Sequence, residues 1–355
     1  WTLPSADGTN TQVLQTNGSG VLSFATVSGG ASAATPTALG TVYGSTPTAG
    51  TYNTSIGYNS LNAITTGVGN AGFGISVLKN NTTGTENAAF GSTYTSNAPM
   101  EANTTGSKNA AFGIGALAQN TTASYNTAVG YQSLYANTTA ANNTAVGYQS
   151  LYANTTGASN TAVGYAAGTA NTTGLNNTAI GTFALLANTT GAYNYALGSY
   201  TLHATTTGSG NTGIGAINSS GGVQPVFSVT TQNDRISMGH TSVTNAYVQV
   251  AWTVVSDARD KMNFAPITHG LDFVNKLNPV AFQFKESREI DVPHGSVRYG
   301  FKAQEILALE GDNPVIIDNE DSEKLRYNGE ALVPVLVKAI QELKAEFDAY
   351  KASHP

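Results

Sequence analysis

The apolar and polar positions of this chain fall into three successive patterns, and the middle one repeats. From Asn53 onward an asparagine recurs at 53, 70, 87, 109, 126, 143, 160, 177, 194 and 211, a period of 17 broken by one interval of 22. Three residues after each asparagine stands an apolar residue and four after it a glycine, from Ile56-Gly57 through Val146-Gly147 to Ile214-Gly215. A second apolar site recurs at Leu61, Leu78, Leu117, Leu134, Leu151, Leu185 and Leu202, and Thr-Thr pairs precede most of the next asparagines. Glycine in every copy opposes helix, and 17 residues are too few for a helical hairpin. The pattern therefore predicts one coil of a β-solenoid per repeat, with two short strands and two turns. In that reading the apolar residue before each glycine stacks into an internal ladder, glycine makes tight corners, and Asn and Thr form hydrogen-bonded ladders. Coils stacked at the ~4.8 Å strand spacing make a rod about 45–50 Å long. So thin a coil has little interior of its own, and three chains wound side by side bury more. A trimeric stalk over residues 53–215 is the expectation.

The long interval, from Asn87 to Asn109, keeps its Thr104-Thr105-Gly106 corner and places Met100 where leucine stands elsewhere. Its five extra residues then form a loop between Gly91 and Met100. Insertions in solenoids project from one face, either as tolerated bumps or as ligand-binding loops.

The flanking patterns differ. In residues 1–52, Val13-Leu14 and Val21-Leu22-Ser23-Phe24 flank Asn17-Gly18-Ser19-Gly20, a hairpin signal. A Gly/Ala/Ser/Thr-rich connector follows from Ser28 to Ala49. Residues 216–255 lose the repeat and alternate, as in Val226-Phe227-Ser228-Val229 and Tyr247 to Trp252, which predicts a β-rich neck. Residues 256–355 read as a small α+β domain: a helical segment over His269–Leu277, a strand over Val280–Phe284, an apolar Val315-Ile316-Ile317, and a terminal helix from Gly329. In that helix Leu336, Ile340, Leu343, Phe347 and Tyr350 alternate spacings of four and three, a heptad seam suited to a coiled-coil bundle. The fold class is mainly β.

Charge sharpens the last boundary. Residues 1–255 carry only Asp7, Lys79, Glu86, Glu101, Lys108, Asp234 and Arg235, which leaves 29 of the 36 charged residues for the last 100 positions. Two folding problems meet at Ser256. A net charge of −6 without a Lys/Arg cluster argues against a nucleic-acid partner. No apolar run approaches the ~20 residues of a membrane span, so no membrane insertion is expected. Trp1 to Asn10 lacks the marks of a signal peptide, and with no initiator Met the chain is expected to be the C-terminal part of something longer. There is no cysteine, and the histidines at 203, 240, 269, 294 and 354 make no metal-ligand spacing; no metal or cofactor is expected. Glycoside hydrolysis needs two carboxylates about 5–10 Å apart, and the solenoid offers only Glu86 and Glu101. Tyr131, Tyr148 and Tyr165 share one repeat position, as sugar-stacking rings or as a packing ladder.

Ser256-Asp257-Ala258-Arg259-Asp260-Lys261 opens the charged region. Four motifs follow one another from there: Ser256-Asp257-x-Arg259-x-Lys261, Leu277-Asn278-Pro279-Val280 with an aromatic two residues later, Gly300-Phe301-x-Ala303-Gln304-Glu305, and Ala339-Ile340-Gln341-Glu342-Leu343. In this order, behind a fibrous repeat, they resemble the C-terminal intramolecular chaperone, or auto-processing, domain of bacteriophage tailspikes, tail fibres and endosialidases. The first 27 residues are also similar to short segments of phage tail fibres. The resemblance implies a domain that assists trimerisation of the fibre before it and then cuts itself away, using a Ser-Lys dyad that maps onto Ser256 and Lys261. Chemically, a serine hydroxyl needs a base, and lysine serves when burial or a neighbouring cation depresses its pKa. Arg259 is the candidate for that field; Asp257 and Asp260 oppose it unless they point away or pair with Arg259. The scissile bond adjoins Ser256. Attack on the Val255 carbonyl passes through a five-membered ring and favours Val255-Ser256 in cis, while attack by a neighbouring protomer permits Ser256-Asp257. The implied setting is a virion tail fibre assembled in the host cytoplasm. Its partners are two further copies of the chain, upstream tail-fibre or baseplate proteins, and a host-surface glycan or protein receptor. A bacterial trimeric surface adhesin, whose head repeats share Asn-x-Ala-Val/Ile-Gly, and a glycan-depolymerising tailspike are the alternatives.

Overall fold

The computed structural model describes residues 12–16, 22–26, 52–93, 96–217, 221–223, 225–241, 243, 249, 256–285 and 290–354. The chain divides into two compact units, Trp1–Thr241 and Ser242–Pro355. The N-terminal apolar runs form the expected hairpin. β1 (Gln12–Thr16) pairs antiparallel with β2 (Leu22–Thr26), with Leu14 opposite Phe24.

The 17-residue repeat is a β-solenoid. Among the described residues it contributes eleven three-residue strands, from β3 (Thr54–Ile56) to β13 (Ile236–Met238), in one parallel sheet that follows sequence order. The registers are uninterrupted: Thr144, Ala145 and Val146 lie opposite Thr161, Ala162 and Val163. Each coil holds one strand, not the two expected, because the rest of the coil is bent at residues with left-handed backbone. In one coil these are Gln132 (φ 53°) and the buried Leu134 (φ 50°), a conformation incompatible with an extended strand. Hydrogen bonds to the next coil stabilise that turned half, such as Leu134 N–H to Ser150 C=O at 3.0 Å and Ala136 N–H to Tyr152 C=O at 3.0 Å.

The apolar residue before each glycine is not the internal ladder. It points outward: Phe112, Val129, Val163 and Ile180 are 37–41% exposed. In a three-residue strand the first and third side chains share a face, so the residue that points inward is the middle one, which is small in every coil. Ala128, Ala145 and Ala162 are fully buried, packed with Leu134 and Leu151 in one continuous core. A coil this narrow holds one leucine and one alanine per level, and a Phe or Val at the strand's third position has room only outside. Met100 takes the leucine position, fully buried, as its place in the long interval predicts. The insertion ahead of it is tied down where it rejoins the coil. Glu101 accepts the N–H groups of Asn97 (2.8 Å) and Ala98 (3.2 Å), and the Tyr135 hydroxyl donates to Asn97 Oδ1 at 2.7 Å.

Two asparagine ladders run along the rod, one through every regular repeat from Asn53 to Asn211 and a shorter one from Asn81 to Asn188. In the first, which contains the period-17 asparagines, Asn160 N–H donates to Asn143 Oδ1 (2.9 Å) and Asn160 Nδ2 to Gly174 C=O (2.9 Å). In the second, Asn154 Nδ2 donates to Asn137 Oδ1 (3.1 Å) and Asn171 Nδ2 to Asn154 Oδ1 (2.8 Å). Threonine hydroxyls make a third row, as where Thr155 Oγ1 donates to Thr172 C=O at 3.1 Å. The first asparagine row and the threonine row continue past Gly215, the end of the repeat in the sequence. Strand β13 pairs Ile214 with Met238, Arg235 N–H donates to Asn211 Oδ1 at 3.0 Å, and Val229 joins the core. The segment read as the start of a neck is thus a longer solenoid coil, and Val226–Val229 is not a strand within it. Of the strand expected over 247–252, only Gln249 is among the described residues.

The second unit is α+β. A single 3₁₀ turn, Ala258–Asp260, leads to α1 (Leu271–Val274), then β14 (Val280–Lys285) antiparallel to β15 (Pro293–Gly300), and α2 (Ala303–Glu310). The short pair β16 (Ile317–Asp318) and β17 (Arg326–Tyr327) precedes the long α3 (Gly329–Ser353). Phe273, Ile306, Ile316, Ile317, Leu332 and Val335 form the core. Glu310, at the end of α2, accepts the N–H groups of Val315, Ile316 and Ile317 at 2.7–2.9 Å and so fixes the approach to β16. No helix among the described residues is long and apolar enough to cross a membrane.

Helix α3 uses one face at home and leaves another bare. Leu332, Val335 and Ala339 are buried, whereas the heptad residues Leu336, Ile340, Leu343, Phe347 and Tyr350 are 39–66% exposed. Glu342 ties α3 to the start of α1 by accepting Leu271 N–H at 2.6 Å. Gly270 makes room for this contact, since a Cβ there lies 2.1 Å from Glu342 Oε2. The Leu271 N–H, with Lys338 beside it, holds the Glu342 carboxyl below the usual glutamate range. A depressed folded-state pKa stabilises above the unfolded value and loses that contribution as pH falls through the folded one. The melting-temperature advantage of the native chain over Glu342→Gln is therefore expected to be full at neutral pH and to shrink below about pH 5, as a pH series of thermal unfolding will show. An advantage that stays constant down to pH 3 contradicts this linkage.

Candidate active site

Within the second unit, the segment from Ser256 to Lys261 brings together two of the residues singled out in the sequence. Lys261 Nζ donates to Ser256 Oγ at 2.6 Å. The five-residue spacing closes this contact through the 3₁₀ turn between them. Asp257 caps that turn, accepting Arg259 N–H on Oδ1 at 2.9 Å, and Lys261 N–H returns to Ala258 C=O at 3.2 Å. The backbone thus doubles back and sets the lysine side chain beside the serine.

The Arg259 guanidinium is paired with Asp257, Nη2 to Oδ2 at 2.6 Å and Nε to both carboxylate oxygens at 3.1 Å. That bidentate bond, with the cap to Arg259 N–H, holds the Asp257 carboxyl below its usual range and raises the Arg259 guanidinium above its own. The pairing neutralises one carboxylate of the hexapeptide, as the sequence required if the lysine was to act as a base. Val255, on the other side of the candidate scissile bond, lies outside the described residues.

Residues 258–268 are all exposed. Met262 (80%) and Phe264 (73%) present large apolar side chains to solvent directly after Lys261. Farther along the same segment, Lys338 of α3 donates to Ile267 C=O at 2.5 Å. Sequence reasoning singled out neither Lys338 nor the role of Glu342, although Glu342 sits inside a quoted motif. A carboxylate and an ammonium four residues apart on one helix read as a solvated pair, and their reach to residues 71 positions earlier leaves no local trace.

The other candidates are occupied structurally. Glu101 is bound by the insertion backbone and lies 3.9 Å from Lys79; Glu86 lies 3.9 Å from Lys108. Tyr131, Tyr148 and Tyr165 stack on one another at 5.4 and 5.0 Å, which covers their faces and leaves their edges to solvent. Among the described residues no three metal-ligating side chains gather at one place.

No curated protein and no solved structure matches this chain. Three of the four motifs that follow the hexapeptide's start lie within 256–313, and the fourth, Ala339–Leu343, lies beyond it in α3. Residues 256–313, opening on Ser256, match the family model described as chaperone of endosialidase, and this stretch is consistent with a C-terminal intramolecular chaperone domain of that kind.

Proposed function

We propose that this chain is part of a homotrimeric phage tail fibre, whose C-terminal chaperone domain drives assembly of the solenoid stalk and then cuts itself off next to Ser256. The observation that carries the cleavage is the 2.6 Å contact between Lys261 Nζ and Ser256 Oγ at the first residue of the family match. Assembly is supported by the apolar surface that the second unit leaves uncovered, namely the heptad seam of α3 and the Met262/Phe264 pair beside the dyad.

The chemistry follows from the pair. As an ammonium, Lys261 orients the serine hydroxyl; it becomes a base as the neutral amine, the form that withdrawal from water favours in lysines. Association of chains over Met262 and Phe264 supplies that withdrawal, so cleavage is coupled to assembly. In cis, Ser256 Oγ attacks the Val255 carbonyl while the amine takes the hydroxyl proton. The five-membered tetrahedral intermediate expels the Ser256 nitrogen, which takes a proton back from the lysine, and an ester joins Val255 to Ser256. Water then hydrolyses the ester and frees both ends. In trans, the hydroxyl of one chain attacks the Ser256-Asp257 bond of another with the same proton transfers.

On denaturing gels the fully folded native chain is expected to show a species shortened by about a hundred residues, the length from the proposed cleavage site to the C-terminus. Ser256→Ala and Lys261→Ala are expected to stay at full length. A native chain that never shortens ends the cleavage claim. Soluble, thermostable trimers from a gene lacking residues 257–355 end the chaperone claim independently. Contact with a host-surface glycan or protein receptor falls, in this reading, to the stalk, which presents exposed tyrosine edges. The Asn-x-Ala-Val/Ile-Gly repeat also fits the head of a bacterial trimeric adhesin, and an uncut, membrane-anchored product will favour that reading.

A further inference from the structure

The outward side of the solenoid sheet carries an apolar stripe that is partly open to solvent among the described residues. It holds one residue per coil and runs from Phe73, Phe90 and Phe112, whose rings stack at 4.5 and 4.8 Å, to Val129, Val146 and Val163 and onward to the end of the sheet. No charged residue occupies the first or third position of any strand from β3 to β13. The four charged side chains of the regular repeats lie outside the strands, in the pairs Lys79–Glu101 and Glu86–Lys108.

We infer that this stripe is the surface on which copies of the chain meet, with identical residues of neighbouring chains facing one another across a common axis parallel to the rods. The inference rests on the homotrimer reading and names its interface. Three arguments select a second copy over any other occupant. First, the stripe repeats at the ~4.8 Å spacing of stacked strands, and only a rod with the same rise meets it level by level along its length. Second, a polar glycan or a charged protein surface finds no ionic partner on this face, whereas an identical stripe matches it. Third, its extent suits the centre of a self-contact that flanking residues widen. Ten steps of ~4.8 Å with a width of about 10 Å give on the order of 500 Å² per chain, somewhat under the ~800 Å² per partner of a standard two-chain interface. A parallel, closed assembly can cover every copy of a single stripe only by turning all of them toward the axis.

The chain contains no cysteine, so a single introduced thiol reports position cleanly. The test uses the full chain with Val163→Cys, Ile180→Cys or Thr173→Cys; the first two lie on the stripe, and Thr173 is exposed at the Thr-Thr corner. Each variant is treated with a short bismaleimide and run on a denaturing gel, with the mass of the untreated native chain measured by light scattering. Val163→Cys and Ile180→Cys are expected to give a strong two-chain band, and Thr173→Cys none. An oligomer that does not cross-link at 163 and 180, or that cross-links equally at 173, overturns the interface while the homotrimer stands. A single-chain mass overturns both.

Discussion

Gly147→Ala is expected to lower the stability of the solenoid by roughly 3–5 kcal/mol, the sum of a strained backbone and a steric overlap. Gly147 has φ 129°, a region that side chains other than hydrogen rarely enter, and a Cβ built on it stands 2.4 Å from the carbonyl oxygen of Gly164 in the next coil. That oxygen is backbone and has no rotamer to relieve the clash. The coils must separate, and the ladder bonds at that level, Gly147 N–H to Val129 C=O (2.7 Å) and Gly164 N–H to Val146 C=O (2.8 Å), stretch with them. In a stacked array each coil touches only its neighbours, so the damage is local. Hydrogen exchange is expected to show lost protection within a coil or two of residue 147, alongside a lower denaturation midpoint. Gly215→Ala is the control: its φ is 65° and nothing lies within 4 Å of the added Cβ, so the cost there is expected at about 1 kcal/mol. Equal losses at the two positions refute the clash as the reason for glycine.

Asn154→Leu is expected to cost about 3–6 kcal/mol, from three hydrogen bonds and the buried groups they leave unpaired. Asn154 is fully buried. Its Nδ2 donates to Asn137 Oδ1 and Gly157 C=O, and its Oδ1 accepts from Asn171 Nδ2. Leucine fits the space, because Ile64 holds the equivalent place in the first coil and packs against the core there. The loss is therefore one of polar satisfaction rather than volume. At the ladder's start the same change removes less: Asn81 Nδ2 bonds Gly84 C=O, and its Oδ1 serves Asn103, with no earlier asparagine to abandon. Chemical denaturation of Asn154→Leu and Asn81→Leu is expected to rank them in that order, and a reversal contradicts the ladder's additive character.

Repetition made the solenoid legible. Ten copies of one pattern expose the period, the glycine corner and the Asn and Thr ladders, each of which the structure contains. Which side of the strand faces inward was hidden, since a three-residue strand carries no alternation to read, and the large apolar residue attracts attention over the alanine beside it. The coil that contains Arg235 was hidden for a different reason. At the end of the ladder only the backbone N–H is needed to cap Asn211 Oδ1, so the asparagine signature lapses while the geometry persists. At the second unit, the spacing of Ser256 and Lys261 and the condition on Asp257 and Arg259 were readable because a single turn connects them. The ties from Glu342 to Leu271 and from Glu310 to the segment before β16 depend on how the unit packs, which local patterns do not reveal.

The central leucine of most coils is held at φ near 50°, at Leu61, Leu78, Leu117, Leu134, Leu151, Leu185 and Leu202. Taken alone, a leucine avoids that conformation by roughly 1–2 kcal/mol, so a solitary coil is pulled toward other shapes. The bond that rewards it, such as Leu134 N–H to Ser150 C=O, belongs to the coil that follows. Stacking thus behaves like crystal growth from solution: the first layers are uphill, every later layer is templated, and a supersaturated chain waits for a seed. The rate at which this rod appears is then set by whatever first holds a few coils in register.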